Sequence, residues 1–140
     1  MARRDASNLF GAEHIRQYRE TGGEYGHDWK GTQTLLLTTT GRSSGEPRTT
    51  PLIYGRNGDD FLVVASKGGA DEPPSWYVNL QRQPDAEIQV LDETIPVHAR
   101  TATDAEKPEL WKTMVAEWPS YDDYQRKTDR PIPVVVLERR

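Results

Sequence analysis

The stretch "TQTLLLTTTGRSSGEPRTTPLIYGRNGDDFLVVAS", residues 32–66, decides the fold. Its runs "TQTLLLTTT" (32–40), "TTPLIYGR" (49–56) and "FLVVAS" (61–66) are rich in Thr, Leu, Ile and Val, as strands are. Turn formers separate them. "GRSSGEPR" (41–48) reads as a loop, and "NGDD" (57–60) supplies a hairpin turn. The third run is apolar throughout, which marks a central strand.

Outward from this stretch, "AEIQV" (86–90) and "IPVHART" (95–101) form a second hairpin through "LDET", and "PIPVVVLE" (131–138) closes the chain as a buried strand. Residues 8–21 predict a helix with a thin apolar set, Leu9, Phe10, Ile15 and Tyr18, broken by "TGGEYGHDW". That helix has three readings: it packs on the barrel, covers a site, or makes a weak peripheral contact with a membrane. Residues 103–119 predict another helix. Thr103 and Glu106 have capping-box spacing, and Leu110, Met114 and Trp118 recur every four residues. Pro108 moves its true start later. About six short antiparallel strands, mostly hairpin-linked, predict a mainly β, α+β fold closed as a barrel rather than a βαβ fold. The expected organisation is one domain over 1–140, with 1–30 as an N-terminal helix and loop.

With 140 residues and a net charge of -4, the chain lacks the basic excess of a non-specific nucleic-acid binder. It has no cysteine, and His14, His27 and His98 form no ligand pattern, so no metal site is expected. No apolar run reaches the about 18 residues that cross a bilayer, and the start lacks a signal-peptide core, so a cytoplasmic location is expected.

Two segments could hold an anion. In "GRSSGEPRTTP", Arg42 and Arg48 flank a turn where Ser43, Ser44 and Gly45 offer hydroxyls and approachable N–H groups, which suits a phosphate or carboxylate. The same loop also reads as a solvated hairpin with Arg42 or Arg48 paired to Glu46. In "SKGGADEPPSWYVNL" (66–80), Lys67 leaves the end of a buried strand, and Ser75-Trp76-Tyr77 opens a helix whose first N–H groups are free. Trp76 or Tyr77 either walls a flat ring or anchors the helix in the core. Ser66 has no histidine partner for a hydrolase triad, so an enzyme here needs a cofactor for the hard step. Tyr121 and Tyr124, three residues apart after Trp118, either hold a flat carbonyl-bearing substrate or plug the barrel end.

Taken together, "YRETGGEYGHDWKG", "LLLTTTGRSSGEPRTTPL", "VVASKGGADEPPSWYVNL" and "WPSYDDYQRKTDRPIPVVVLE" resemble the deazaflavin-dependent nitroreductase family of actinobacteria, which uses reduced coenzyme F420. The resemblance covers roughly residues 14 to 138. It implies a flavin-reductase-like split β-barrel and hydride transfer to quinones, nitroaromatics or unsaturated carbonyls. It places the cofactor's phosphate and oligoglutamate tail on Arg42, Ser44, Arg48 and Lys67, and counts Ser43 among the cofactor-binding residues. Thr49, Thr50, Pro51, Ala65 and Ser66 would line the ring or ribityl chain, joined by Ser75, Trp76, Tyr77 and Asn79. Ser66, Tyr121 and Tyr124 would face the acceptor as catalytic residues. The sequence departs from relatives at Ser43, often lysine, and at Trp118, a position that can be tyrosine. Rival readings are the same barrel loaded with FMN and a carrier of F420 without chemistry. The expected partner is a small-molecule acceptor, and the chain is read as a monomer or homodimer.

Overall fold

The computed structural model describes residues 3–140; Met1 and Ala2, which the expected domain includes, lie outside the described residues. The elements in chain order are β1 (Arg4–Asp5), α1 (Gly11–Thr21), β2 (Tyr25–Trp29), β3 (Thr32–Thr40), β4 (Pro47–Ile53), β5 (Gly55–Asn57) and β6 (Asp60–Val64). A single 3-10 turn (Lys67–Gly69) follows, then α2 (Ser75–Arg82), β7 (Asp85–Val90), β8 (Glu93–Thr101), α3 (Lys107–Glu117), α4 (Ser120–Arg126) and β9 (Val134–Arg139). The strands form one sheet in the order β1-β2-β3-β7-β8-β9-β6-β5, with β4 paired to β3. The fold is therefore mixed α and β, dominated by an open sheet, as the strand-rich sequence predicts.

Strands β6 and β9 show why two runs are apolar without alternation. Phe61, Val63, Val135 and Leu137 face a core shared with Leu35, Leu37, Ile88 and Val97. Leu62, Val64, Val134 and Val136 face the other way, onto Leu110, Met114 and Tyr121 of α3 and α4. Each fully buried side chain of this kind contributes roughly 1.5–3 kcal/mol. The β3–β4 hairpin runs in register from Thr34↔Ile53 to Thr40↔Pro47, so its loop projects at one end of the sheet.

Two expectations need correction. The sheet has nine strands among the described residues, not about six, and β1 pairs with β2 in parallel. The stretch 1–30 is also more than helix and loop, because Tyr25–Trp29 is a strand. It joins β3 through Lys30 and Gly31, both at positive φ (48° and 77°), a two-residue turn that matches strand twist. Gly26 and Asp28 are poor strand formers, and tertiary contacts hold them. Thr34 Oγ1 donates to the Gly26 carbonyl at 2.7 Å, and a Cβ on Gly26 would lie 2.7 Å from Tyr18 Cδ2.

Helix α1 buries His14 and Tyr18 against the sheet. The Tyr18 hydroxyl donates to the Thr34 carbonyl and accepts from the Leu91 N–H. Its inward face is thus engaged, and membrane contact through this helix finds no support. Phe10, 59% exposed, is the one large apolar side chain open to solvent among the described residues. No helix among them is long and apolar enough to cross a membrane. At α3 the capping box forms: the Thr103 N–H donates to Glu106 Oε2 at 2.8 Å, and the Glu106 N–H to Thr103 Oγ1 at 3.3 Å. Pro108 sits in the first turn, where a missing N–H costs nothing.

Candidate functional site

The β3–β4 loop and the start of α2 enclose a polar chamber of about 490 Å3. Asn79, buried on α2, ties the two together. Its Oδ1 accepts from the Arg42 N–H (3.2 Å) and Nη1 (2.9 Å), while its Nδ2 donates to Thr39 Oγ1 (3.1 Å). Ser44 Oγ accepts from the Glu46 N–H and from Arg48 Nη2. Neither Arg42 nor Arg48 pairs with Glu46 or with any other carboxylate among the described residues, so both guanidiniums stand ready for an anion. Arg19, at the end of α1, adds a third, donating to Thr49 Oγ1 at 2.9 Å.

A second chamber of about 460 Å3 adjoins the first, and Thr50 and Trp76 line both. Its other walls include Phe10, Trp29, Trp118, Tyr121 and Tyr124, with Ser66, Lys67 and Gly68 at one side. The turn after β6 has a specific shape: Lys67, Gly68 and Gly69 all have positive φ (46°, 64° and 87°). A Cβ on Gly69 would lie 2.6 Å from the Tyr124 carbonyl oxygen, so this glycine lets α4 settle on the turn. The Lys67 ammonium contacts Glu72 at 2.9 Å in an exposed pair, and such pairs contribute little. Arg130 holds the turn from behind, donating to the carbonyls of Ala70 (2.7 Å), Ser66 (2.9 Å) and Ala65 (3.3 Å).

On the α4 side, burial pushes the Tyr121 phenol well above the usual tyrosine range, which keeps it a neutral donor. Tyr124 Oη accepts from the Trp118 indole N–H at 3.3 Å and retains its own proton to donate. The two rings meet edge to face with centroids 6.1 Å apart. The Trp111 indole N–H donates to Asp122 at 2.7 Å and fixes α4 on α3.

The structure brings Arg42, Ser43, Ser44, Arg48, Thr49, Ser75 and Asn79 to the polar chamber. Pro51, Ser66, Lys67, Tyr121 and Tyr124 border the aromatic one. Two expected residues lie elsewhere. Ala65 has its side chain wholly in the core. Tyr77 packs half-buried on the core, and its hydroxyl bonds Thr101 Oγ1 at 2.8 Å on the far side of α2. Sequence reasoning missed Phe10, His14 and Trp29 as chamber walls. No helix-face pattern signals this, because Phe10 is the extended residue just before α1 and only His14 lies on the helix.

The chain matches the model of the F420H(2)-dependent quinone reductase family over residues 11–139. A Mycobacterium tuberculosis protein named as an F420H(2)-dependent quinone reductase is 45% identical over 131 residues, covering 91% of this chain and 88% of the relative. A solved F420-H2 dependent reductase superposes with a TM-score of 0.70 at 40% identity, over 75% of this chain and 93% of its own. Another solved chain, described as a domain-swapped dimer, gives a TM-score of 0.74 at 38% identity, over 90% and 92%. With this coverage and identity, the chain belongs to the F420H(2)-dependent quinone reductase family.

Proposed function

We propose that the protein reduces quinones, and other electron-poor acceptors such as nitroaromatics and unsaturated carbonyls, with reduced F420 as hydride donor. The observation that carries this is the pair of joined chambers. One is polar with two guanidiniums free of carboxylates, the other is aromatic, and Trp76 and Thr50 stand at the junction. A flat ring with an anionic tail fits that shape. Arg42, Arg48, Ser43 and Ser44 would hold the tail, with Lys67 recruited from Glu72. Trp76, Thr50 and Pro51 would border the ring, whose reduced form supplies a hydride when bound. Tyr121, Tyr124 and Ser66 would orient the acceptor and donate hydrogen bonds as charge develops on its oxygen.

The sheet supports a split-barrel reading. Strand β4 pairs with β3 near one end of the sheet and β5 is the strand at the other end, yet only Tyr54 separates β4 from β5 in the chain. A homodimer is the proposed assembly, in line with the solved relative described as a dimer. The family match favours F420 over FMN and turnover over simple carriage. Fluorescence titrations with F420 and FMN side by side, followed by oxidation of reduced F420 with menadione, test the reading. Tighter binding of FMN, or no acceleration over the protein-free rate, would overturn it.

A further inference from the structure

The aromatic chamber holds one ionisable ring to which the function above gives no part. His14, on α1, lines the chamber and is only 3% exposed. Its Nε2 lies 2.7 Å from the Gly26 carbonyl. A carbonyl oxygen only accepts, so Nε2 carries the hydrogen. Thr34 Oγ1, 3.3 Å from the same nitrogen, donates its own hydrogen to that carbonyl. The tautomer is thereby set, and Nδ1 is the nitrogen left to act.

Nδ1 makes no hydrogen bond among the described residues. No sealed side-chain nitrogen or oxygen among them lacks a partner, so Nδ1 is not closed off inside the protein. The ring plane is fixed by stacking on Trp29, with centroids 6.4 Å apart and planes 23° apart. Trp29 in turn sits 5.8 Å from Trp118, whose indole reaches Tyr124. His14 therefore belongs to the aromatic set that walls the acceptor's chamber. The titratable groups around it are Tyr18 beside the ring, and Lys67, Tyr121 and Tyr124 on the chamber's other walls.

We infer that His14 exchanges a proton with the acceptor's oxygen through Nδ1, as a catalytic acid for the reduced product. The inference rests on the aromatic chamber being the acceptor site. Converting a quinone to a hydroquinone takes one hydride and one proton. The hydride brings both electrons and one hydrogen from the reduced cofactor. The second hydrogen comes as a proton: the Nδ1–H bond breaks, an O–H bond forms, and the imidazolium becomes neutral. The proton released when the cofactor is oxidised recharges the ring through water, so no further reductant or oxidant is needed. A buried neutral phenol such as Tyr121 donates a hydrogen bond but parts with its proton reluctantly. Histidine is the side-chain type suited to a full transfer near neutral pH.

His14→Gln tests this, because the glutamine amide can still donate to the Gly26 carbonyl while Nδ1 is lost. Expected are an unchanged melting temperature, unchanged F420 affinity, and a fall in kcat/KM for menadione of about 10- to 100-fold, at or below the usual range for a lost general acid. An independent readout uses the parent protein without cofactor. With 15N-labelled histidine, the His14 Nδ1 resonance, identified by its loss in His14→Gln, should move when menadiol is added under argon. Parent-like kcat/KM in the variant, or an Nδ1 resonance that stays put at saturating menadiol, overturns the assignment. If the parent itself fails to bind F420 or to turn over menadione, the functional reading falls, and the resonance alone then decides the role of His14.

Discussion

The Arg130 guanidinium donates to the Ser66 carbonyl at 2.9 Å, across 64 residues of sequence. With its bonds to Ala65 and Ala70, it sets the course of the turn that carries Lys67 and Gly68. Arg130→Met keeps most of the stem and removes the donors. It should cost about 1–3 kcal/mol in urea unfolding, because carbonyls behind the turn lose a charged partner. Cofactor affinity should fall with it. A parent-like unfolding midpoint would mean that the turn holds its own shape.

The cations proposed for the tail start from unequal positions: Arg48 lines the polar chamber, whereas Lys67 lines the aromatic one beside it. Arg48 has no carboxylate to leave, so Arg48→Ala should weaken F420 binding by about 1.5–3 kcal/mol. Lys67 starts from its pair with Glu72. Lys67→Ala should therefore cost less than Arg48→Ala, and Glu72→Gln should tighten binding. Titrations of the three variants at low and high salt check the order, since added salt screens partly exposed charges. Weaker binding in Glu72→Gln would contradict it.

Trp76 belongs to both of its sequence readings at once. It packs on the first core cluster and also lines both chambers. Trp76→Ala should thus lower both stability and F420 affinity, with a stability loss below the about 3–5 kcal/mol of a fully buried tryptophan. A melting curve and a cofactor titration on one preparation separate the two losses. Change in only one of them would remove the other role.

For the acceptor, Tyr121→Phe leaves the ring and deletes the donor. kcat/KM for menadione should drop by roughly 10- to 100-fold while F420 affinity holds. Tyr124→Phe should also lower kcat/KM, and it leaves the Trp118 indole N–H without the hydroxyl that accepts from it. Normal turnover in the double variant would return both rings to a packing role.

The start of α3 is expected to contribute to acid sensitivity. The Arg100 guanidinium, helped by the Thr103 N–H, holds the Glu106 carboxyl down from 4.5 to about 2. A folded-state value below the unfolded one stabilises above pH 4.5, and the contribution is lost as pH falls towards 2. Glu106→Gln should flatten the acid limb of the stability profile across that window. Denaturant midpoints measured at pH 6 and pH 3 give the test. An equal acid loss in parent and variant would place the sensitivity elsewhere.

Much of this was legible in the chain. The apolar runs 61–66 and 131–138 read as buried strands because β6 and β9 are covered on both faces. Arg42 and Arg48 were legible because a hairpin loop brings them together locally. Other features were not, and for a common reason. Tyr25–Trp29 is a strand through Tyr18 and Thr34, which lie in other elements. His14 and Phe10 reach the site only because α1 folds back over the sheet. The side of α2 that carries Tyr77 away from the chamber is set by Thr101, on β8.

The two chambers draw on different parts of the chain. The polar one is built from residues between 41 and 79, whereas the aromatic one adds residues from 9–14 and 118–124 together with Trp29 and Thr34. Only Thr50 and Trp76 serve both. With the cofactor's tail in the polar chamber and the acceptor in the aromatic one, as proposed above, acceptor preference could drift through changes at the outlying residues while the tail site is kept. A small domain with this layout is suited to diversify its substrates without relearning its coenzyme.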